Sequence, residues 1–137
     1  MEIAAICRNT TTGHEVEVRT GGSSRSLAVP AKPAGRGSSV NGGEFLMLAL
    51  ATCYCNDLYR EAERMGIPIN GVEVEAVAEF PGVGLAATHI RYRAKVNSSA
   101  PDSEITRLLR ATDAVAEVHN TVRAGVPVDL VADTRAV

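Results

Sequence analysis

Three cysteines are the residues of this sequence with the most distinctive chemistry, and two of them, Cys53 and Cys55, lie close together. A thiolate is a strong nucleophile and is readily oxidised. The residues around this pair predict one long helix over residues 41–66. At about 100° per residue, side chains two positions apart point in nearly opposite directions. An intact helix therefore cannot join Cys53 to Cys55 in a disulfide.

The two cysteines have different neighbours on this helix. One stripe changes from apolar to charged residues at Cys53, and it consists of Leu46, Leu50, Cys53, Asp57, Arg60 and Arg64. This pattern predicts a reactive thiol at the floor of a pocket. Cys55 lies on the other side among apolar residues, which is typical of a core position. A second interpretation stays open for both, as small buried hydrophobic residues.

The helix has clear start and stop signals. Asn41 is a favourable N-cap, with Glu44 three residues later, and Gly66 followed by Pro68 ends the pattern. Residues 45–55 are apolar on nearly every side, so this segment must be covered all round. We expect a second copy of the chain to supply the cover, which predicts an obligate homodimer.

Length and charge restrict the class of protein. At 137 residues, a single domain over residues 1–137 is expected, and the net charge of −2 with no basic block argues against nucleic acid and membrane surfaces. The longest apolar run is too short to span a bilayer. The first residues lack the pattern of a signal peptide. An odd number of cysteines favours a reducing compartment, so we expect a cytoplasmic protein.

The remaining pattern predicts an α+β fold. Alternating polar and apolar residues indicate strands over residues 2–10, 14–20, 26–29, 71–80, 88–96 and 126–131. A second helix is expected over residues 101–125, ended by Gly125. The outward residues of strand 71–80 are acidic and those of strand 88–96 are basic, which predicts an antiparallel hairpin with cross-strand ion pairs.

Three segments carry a resemblance to a known family: LMLALATC, ERMGIPINGVEVE and NTVRAGVPV. With these and its order of strands and helices, the chain resembles the OsmC/Ohr family of osmotically inducible and organic hydroperoxide resistance proteins. The resemblance implies an OsmC-like fold, in which antiparallel sheets wrap around long central helices in an intertwined homodimer. It also implies peroxiredoxin-like reduction of organic hydroperoxides in oxidative stress, with Cys53 as the reacting thiol and no cofactor.

The chain also departs from the family pattern. The second cysteine of the family corresponds to Ala116, so an external thiol reductant is expected. The glutamate at the start of the long helix corresponds to Gly43. The arginine that the family places at its active site has three candidates, Arg19, Arg25 and Arg36, and we favour Arg36 because its Gly- and Pro-containing loop can form a pocket wall.

Near the missing cysteine the chain offers Glu117 and His119. His119 lies on the same predicted stripe as Ala116, so it is a candidate for holding the Cys53 thiolate, and Glu117 is a candidate beside it. An imidazolium would lower the pKa of the thiol, whereas Asp57, one turn from Cys53, would raise it. The alternative for His119 is a core residue hydrogen-bonded to backbone.

Two further classes of function are compatible with parts of the sequence. A metal site from Cys53, Asp57, His119 and Cys55 lacks the paired Cys and His spacing of zinc proteins, so no metal is expected. A non-catalytic OsmC-like dimer that binds a small lipophilic ligand is the stronger alternative, because the second cysteine is missing.

Overall fold

Five strands and three helices follow one another in the order β1–β2–β3–α1–β4–β5–α2–α3. The computed structural model describes all residues, 1–137. Contacts divide them into two units, one of Met1–Gly42 with Val131–Val137 and the other of Gly43–Leu130. The sheets are antiparallel and the fold is α+β, as predicted. The single domain over residues 1–137 stays a prediction.

The first unit is a three-stranded meander of β1 (Ile3–Asn9), β2 (His14–Thr20) and β3 (Ser23–Leu27). All three strands were predicted, the third of them starting later, at residue 26. Gly21 has a φ of 56° in the turn between β2 and β3. Glycine adopts this left-handed conformation at little cost, so the two strands can reverse within two residues.

Helix α1 runs over Gly42–Met65, which confirms the predicted long helix. Its end is set by Gly66, whose φ of 66° is left-handed, and the amide of Ile67 donates back to the carbonyl of Ala62. This arrangement is a common way to satisfy the last carbonyls of a helix. None of the three helices combines the length and the apolar character that crossing a bilayer would need.

Strands β4 (Gly71–Glu79) and β5 (Thr88–Asn97) form the predicted hairpin. The expected cross-strand ion pairs are present. Lys95 Nζ lies 2.6 Å from Glu73 Oε1, and Arg93 Nη2 lies 2.7 Å from Glu75 Oε2. The apolar residues of both strands face the other way, toward the core of the second unit.

The predicted second helix is two helices, α2 (Asp102–Val115) and α3 (Glu117–Ala124). The break is at Ala116, which has extended backbone angles of φ −70° and ψ 96°. Alanine is the best helix former, so local propensity cannot explain this break. Gly125 ends α3 in the left-handed conformation, as its position predicted.

The strand predicted over residues 126–131 is absent, and that prediction is wrong. The segment pairs with no other strand, and Val128 and Leu130 are almost fully exposed. Its β-branched residues suit a pleated sheet, but β propensity mostly reflects packing against neighbours. Without a neighbouring strand, composition alone does not make a strand.

The core of the second unit lies between the second half of α1, the hairpin and α2. Its buried members are Tyr54, Leu58, Ala62, Ile67, Leu108 and Ala116. The Tyr54 hydroxyl donates to the Leu109 carbonyl over 2.7 Å and so ties α1 to α2. The first half of α1 is different, because Leu48 is 57% exposed although it belongs to the apolar segment.

Candidate functional site

The site is built around Cys53, which lies half-buried near the middle of α1 and packs against the core cluster. Its Sγ lies 3.6 Å from Oδ2 of Asp57, one turn further along the same helix. A spacing of four residues brings two side chains to one face of a helix, so the sequence already implied this contact. The thiol donates to the carboxylate.

The N-terminus of α3 supplies the second contact of the sulfur. The backbone N–H of Val118 can donate to the sulfur of Cys53, and this interaction acts to lower the pKa of the thiol. Amides in the first turn of a helix have no partner within the helix and carry partial positive charge. Sequence analysis missed this donor. The Val118 N–H is available only because a new helix begins after the break at Ala116, and no side-chain pattern indicates that break.

Two carboxylates surround the same sulfur. Cys53 Sγ and one carboxylate oxygen from each of Asp57 and Glu117 all lie within 4.8 Å of one another. Burial raises the pKa of the Cys53 thiol, the Val118 N–H acts to lower it, and the negative charges of Asp57 and Glu117 raise it further. The net direction is upward, so the resting site favours the thiol over the thiolate.

The two carboxylates are not equivalent. Asp57 is only 3% exposed, and its Oδ1 lies 2.8 Å from Nη1 of Arg60. Glu117 is exposed, and it takes part in no ion pair of the chain. The charge of Asp57 is therefore partly balanced, whereas that of Glu117 is not.

His119 lies on α3 two residues beyond Glu117 and is not part of this cluster of contacts. It is 3% exposed, and its ring centroid lies 4.4 Å from that of Tyr92 and 5.7 Å from that of Tyr54. Neither ring nitrogen has a hydrogen-bond partner. Burial lowers the pKa of His119, the positive charge of Arg123 lowers it further, and Asp113 and Asp57 raise it.

The buried, neutral ring bears on the role predicted for His119. The structure shows no hydrogen bond between it and Cys53, and it is not bonded to backbone either. A lowered pKa favours the neutral imidazole, which cannot offer the positive charge that a thiolate would need. The role of His119 in holding the Cys53 thiolate stays a prediction. The neutral form of the ring would have to perform that role.

A group of polar contacts fixes α3 across the break. Arg123 Nη2 lies 2.5 Å from Asp113 Oδ1, and Asp113 also accepts from the Tyr92 hydroxyl. Asn120 Nδ2 donates to the carbonyl of Ala114 over 3.1 Å. The last carbonyls of a helix need such outside donors. Side chains of α3 thus satisfy the end of α2, and they hold the first turn of α3 in place.

The arginine candidates belong to the first unit. Arg36 is exposed in the loop that the bridge between Ala31 and Ser38 closes. Arg19 lies on β2, with its Nε 2.5 Å from Glu17 Oε1, and Arg25 lies on β3. The role of Arg36 at the site stays a prediction.

The other two cysteines lie elsewhere. Cys7 is exposed on β1, and Cys55 is half-buried on α1, two residues from Cys53. All three cysteines are free. The second cysteine of the family pattern would occupy position 116, where Ala116 is fully buried.

One thiol and two carboxylates at this spacing are also potential metal ligands. Zinc sites in proteins are usually richer in sulfur and nitrogen, and His119 does not join the group. Arg60 already holds one oxygen of Asp57 and would compete with a cation for it. The three donors alone therefore do not define a metal site.

The sequence model of OsmC-like proteins matches residues 35–131. No curated protein matches the chain.

Three solved structures illustrate the similarity of fold. An OsmC-like protein from Mycoplasma pneumoniae is 18% identical with a TM-score of 0.62, over 89% of this chain and 86% of that one. An organic hydroperoxide resistance protein from Elizabethkingia anophelis is 16% identical with a TM-score of 0.61, over 90% and 89%. The organic hydroperoxide resistance protein OhrB of Bacillus subtilis is 17% identical with a TM-score of 0.56, over 90% and 91%. At such identities these structures show the fold, and together with the family match they establish that the chain belongs to the family of OsmC-like proteins.

Proposed function

We propose that this protein is a thiol peroxidase that reduces organic hydroperoxides through Cys53, in defence against oxidative stress. The observation that carries the proposal is the place of Cys53 beside the N-terminus of α3, where the Val118 N–H can donate to its sulfur and acts to lower the pKa of the thiol. A thiolate is the nucleophile in such chemistry, and a helix N-terminus stabilises negative charge. Family membership and the organic hydroperoxide resistance proteins of the same fold support the proposal.

The first step begins with loss of the Cys53 proton. The thiol already donates to Asp57 Oδ2, which offers a path for that proton. The thiolate then attacks the distal oxygen of the hydroperoxide, so that an S–O bond forms as the O–O bond breaks. The departing alkoxide takes a proton and leaves as an alcohol, and Cys53 becomes a sulfenic acid.

The second step needs a thiol from outside. Ala116 cannot form a disulfide with Cys53. A thiol molecule attacks the sulfur of the sulfenic acid, an S–S bond forms and water leaves. A second thiol then displaces Cys53 as the free thiol and leaves as a disulfide with the first. Cys53 is thus oxidised by the peroxide and reduced by two equivalents of thiol.

The assembly belongs to the proposal. The exposed apolar residues of the first half of α1, such as Leu48, would be buried in a homodimer. Leu46, Ala49 and Leu50 would line an apolar pocket shared with the partner subunit. Arg36, Glu117 and His119 are the further residues that we propose for this site, and the protein would act in the cytoplasm.

Mass spectrometry after treatment with cumene hydroperoxide tests the function. We expect oxygen addition at Cys53 in the native sequence and its loss in Cys53→Ser. Reduction by dithiothreitol should restore the thiol. If Cys53 gains no oxygen at neutral pH while Cys7 does, the peroxidase proposal is wrong.

A second candidate is favoured by two observations. The raised pKa of Cys53 and the alanine at position 116 both weaken peroxidase chemistry. The alternative is a non-catalytic OsmC-like dimer whose apolar pocket binds a small lipophilic molecule. An unreactive Cys53 together with saturable binding of a lipophilic fluorescent probe would favour this alternative.

A further inference from the structure

We propose that Glu117 acts as a charge filter at Cys53, admitting neutral or cationic peroxides and thiols and repelling those that carry an anionic group. This inference rests on Cys53 being the reacting thiol of the proposed function. It names the class of substrate and of reductant that the site would accept.

The geometry carries the proposal. A carboxylate oxygen of Glu117 lies within 4.8 Å of Cys53 Sγ, so any molecule that reaches the sulfur must come close to that charge. At separations of this size, two like charges repel each other even at the dielectric constant of water, by an amount that changes a rate a few-fold. A second anion beside the sulfur is therefore disfavoured.

The contrast with Asp57 identifies Glu117 as the filter. Arg60 lies 2.8 Å from Asp57 and balances much of its charge, and Asp57 is buried. Glu117 is exposed and forms no ion pair with any residue of the chain. The uncompensated negative charge of the site is that of Glu117, on the side open to solvent.

Glu117 also has a plain structural role that the test must separate from filtering. It is the first residue of α3, where an acidic side chain stabilises the helix. Glutamine keeps the size and polarity of the side chain and removes its charge. A purely structural role would change the stability of Glu117→Gln without changing which reagents reach Cys53.

The rates at which a matched pair of reagents alkylates Cys53 measure the charge filter without any peroxide. Iodoacetate is anionic and iodoacetamide is neutral, and the same thiolate attacks both and displaces iodide. The ratio of their rates at Cys53, followed by peptide mass spectrometry on the native assembly, cancels the fraction of thiolate. We expect Glu117→Gln to raise the relative rate of iodoacetate about threefold, the effect of removing one exposed charge at this distance.

Glu104→Gln is the matched control. Glu104 is a half-buried glutamate in the first turn of α2, paired with Arg107. Its replacement should leave the ratio unchanged. An unchanged ratio in Glu117→Gln overturns the proposal. The proposal also fails if the ratio of the iodoacetate rate to the iodoacetamide rate is higher at Cys53 of the native protein than in a free cysteine peptide.

Salt provides a version of the test that needs no variant. Raising the ionic strength screens exposed charges, so the relative rate of iodoacetate in the native protein should rise with salt. If Glu117→Gln fails to fold, a flat salt dependence still refutes the filter.

A peroxide pair then separates the filter from the function. A fatty-acid hydroperoxide and its methyl ester share the reacting group and differ in one carboxylate. We expect the ester to oxidise Cys53 faster, and the difference to shrink in Glu117→Gln. If neither peroxide reacts, the proposed function fails, and the alkylation ratio still decides the filter at Cys53.

Discussion

Cys53 on α1 and His119 on α3 are two titratable groups whose surroundings are opposite in character. The sulfur of Cys53 has a backbone donor and two carboxylates within reach, whereas the ring of His119 has two tyrosine rings and no hydrogen-bond partner. Both pKa values move toward the neutral form, upward for Cys53 and downward for His119. A polar environment gives Cys53 groups that can exchange its proton, whereas burial is the largest influence on the pKa of His119 and neither ring nitrogen has a partner.

The largest expected effect tests the backbone donor of Cys53. Val118→Pro removes one N–H that α3 does not need for its own hydrogen bonds. Loss of a hydrogen bond to a charged group costs about 1.5–3 kcal/mol. We therefore expect alkylation of Cys53 by iodoacetamide at neutral pH to slow by roughly one to two orders of magnitude.

The control for this proline is Ser103→Pro, at the second position of α2. It places the same residue in the first turn of the neighbouring helix and should leave Cys53 unchanged. An unaltered pH profile of Cys53 in Val118→Pro would show that the thiolate is held by something other than this amide.

The next effect concerns the unpaired ring. His119→Phe replaces a buried imidazole without partners by an apolar ring of similar shape, next to Tyr54 and Tyr92. Burying an unsatisfied polar group costs about 1–3 kcal/mol, so the variant should be more stable by that order. Chemical denaturation at pH 7 measures the change.

The pH profile of Cys53 alkylation in His119→Phe tests the role proposed for His119 at the site, and an unchanged profile would show that the ring only packs. A stability loss would mean that the imidazole has a partner in the native assembly. A shifted pH profile for Cys53 would instead support the role predicted for His119 from the sequence.

A smaller effect is expected from the carboxylate beside the thiol. Asp57→Asn removes a charge that raises the pKa of Cys53, so alkylation at pH 7 should become several-fold faster. Glu61→Gln is the control, because Glu61 is also buried on α1 and is paired with Arg64. Equal rates in native protein and Asp57→Asn would assign the raised pKa of Cys53 to burial and to Glu117 instead of Asp57.

The smallest effect is the pH dependence of stability. The folded pKa of His119 lies below the ordinary value of 6.5, so its contribution is present above pH 6.5 and is lost as the pH falls toward the folded pKa. For Cys53 the folded pKa lies above the ordinary value of 9.0, so stability is present below that pH and is lost as the pH rises through the folded pKa.

Unfolding free energies measured from pH 5 to pH 10 should separate the two groups. The acid slope should be shallower in His119→Phe and the alkaline slope shallower in Cys53→Ser. If the acid slope of His119→Phe and the alkaline slope of Cys53→Ser equal those of the native protein, the shifted pKa values of the two groups do not contribute to the pH dependence of the free energy of unfolding.

Local patterns sufficed where neighbours in sequence determine the structure. The left-handed Gly66 ends α1 where its type and the following Pro68 indicated, and the acidic and basic faces of β4 and β5 form ion pairs through Glu73 and Lys95. The contact of Cys53 with Asp57 followed from a spacing of four residues. Each of these features follows from a residue type or a repeating pattern that the sequence itself displays.

The features that sequence analysis missed depend on individual side-chain contacts and on strand pairing that no repeating pattern in the sequence marks. The break at Ala116 runs against the helix propensity of alanine, and it is held by Asp113, Asn120 and Arg123. The failed strand at residues 126–131 had the right composition but no partner strand. The Val118 donor at Cys53 follows from the break and was missed with it.

The break at Ala116 also affects how a site of this kind can be recognised. Its donor is a main-chain amide, which every residue except proline carries, so position 118 can exchange its side chain freely and keep the hydrogen bond. A comparison of side chains would find no signature at that position. Proteins with such a site need only share a backbone in which one helix ends and another begins beside the sulfur. Many different sequences can adopt that backbone.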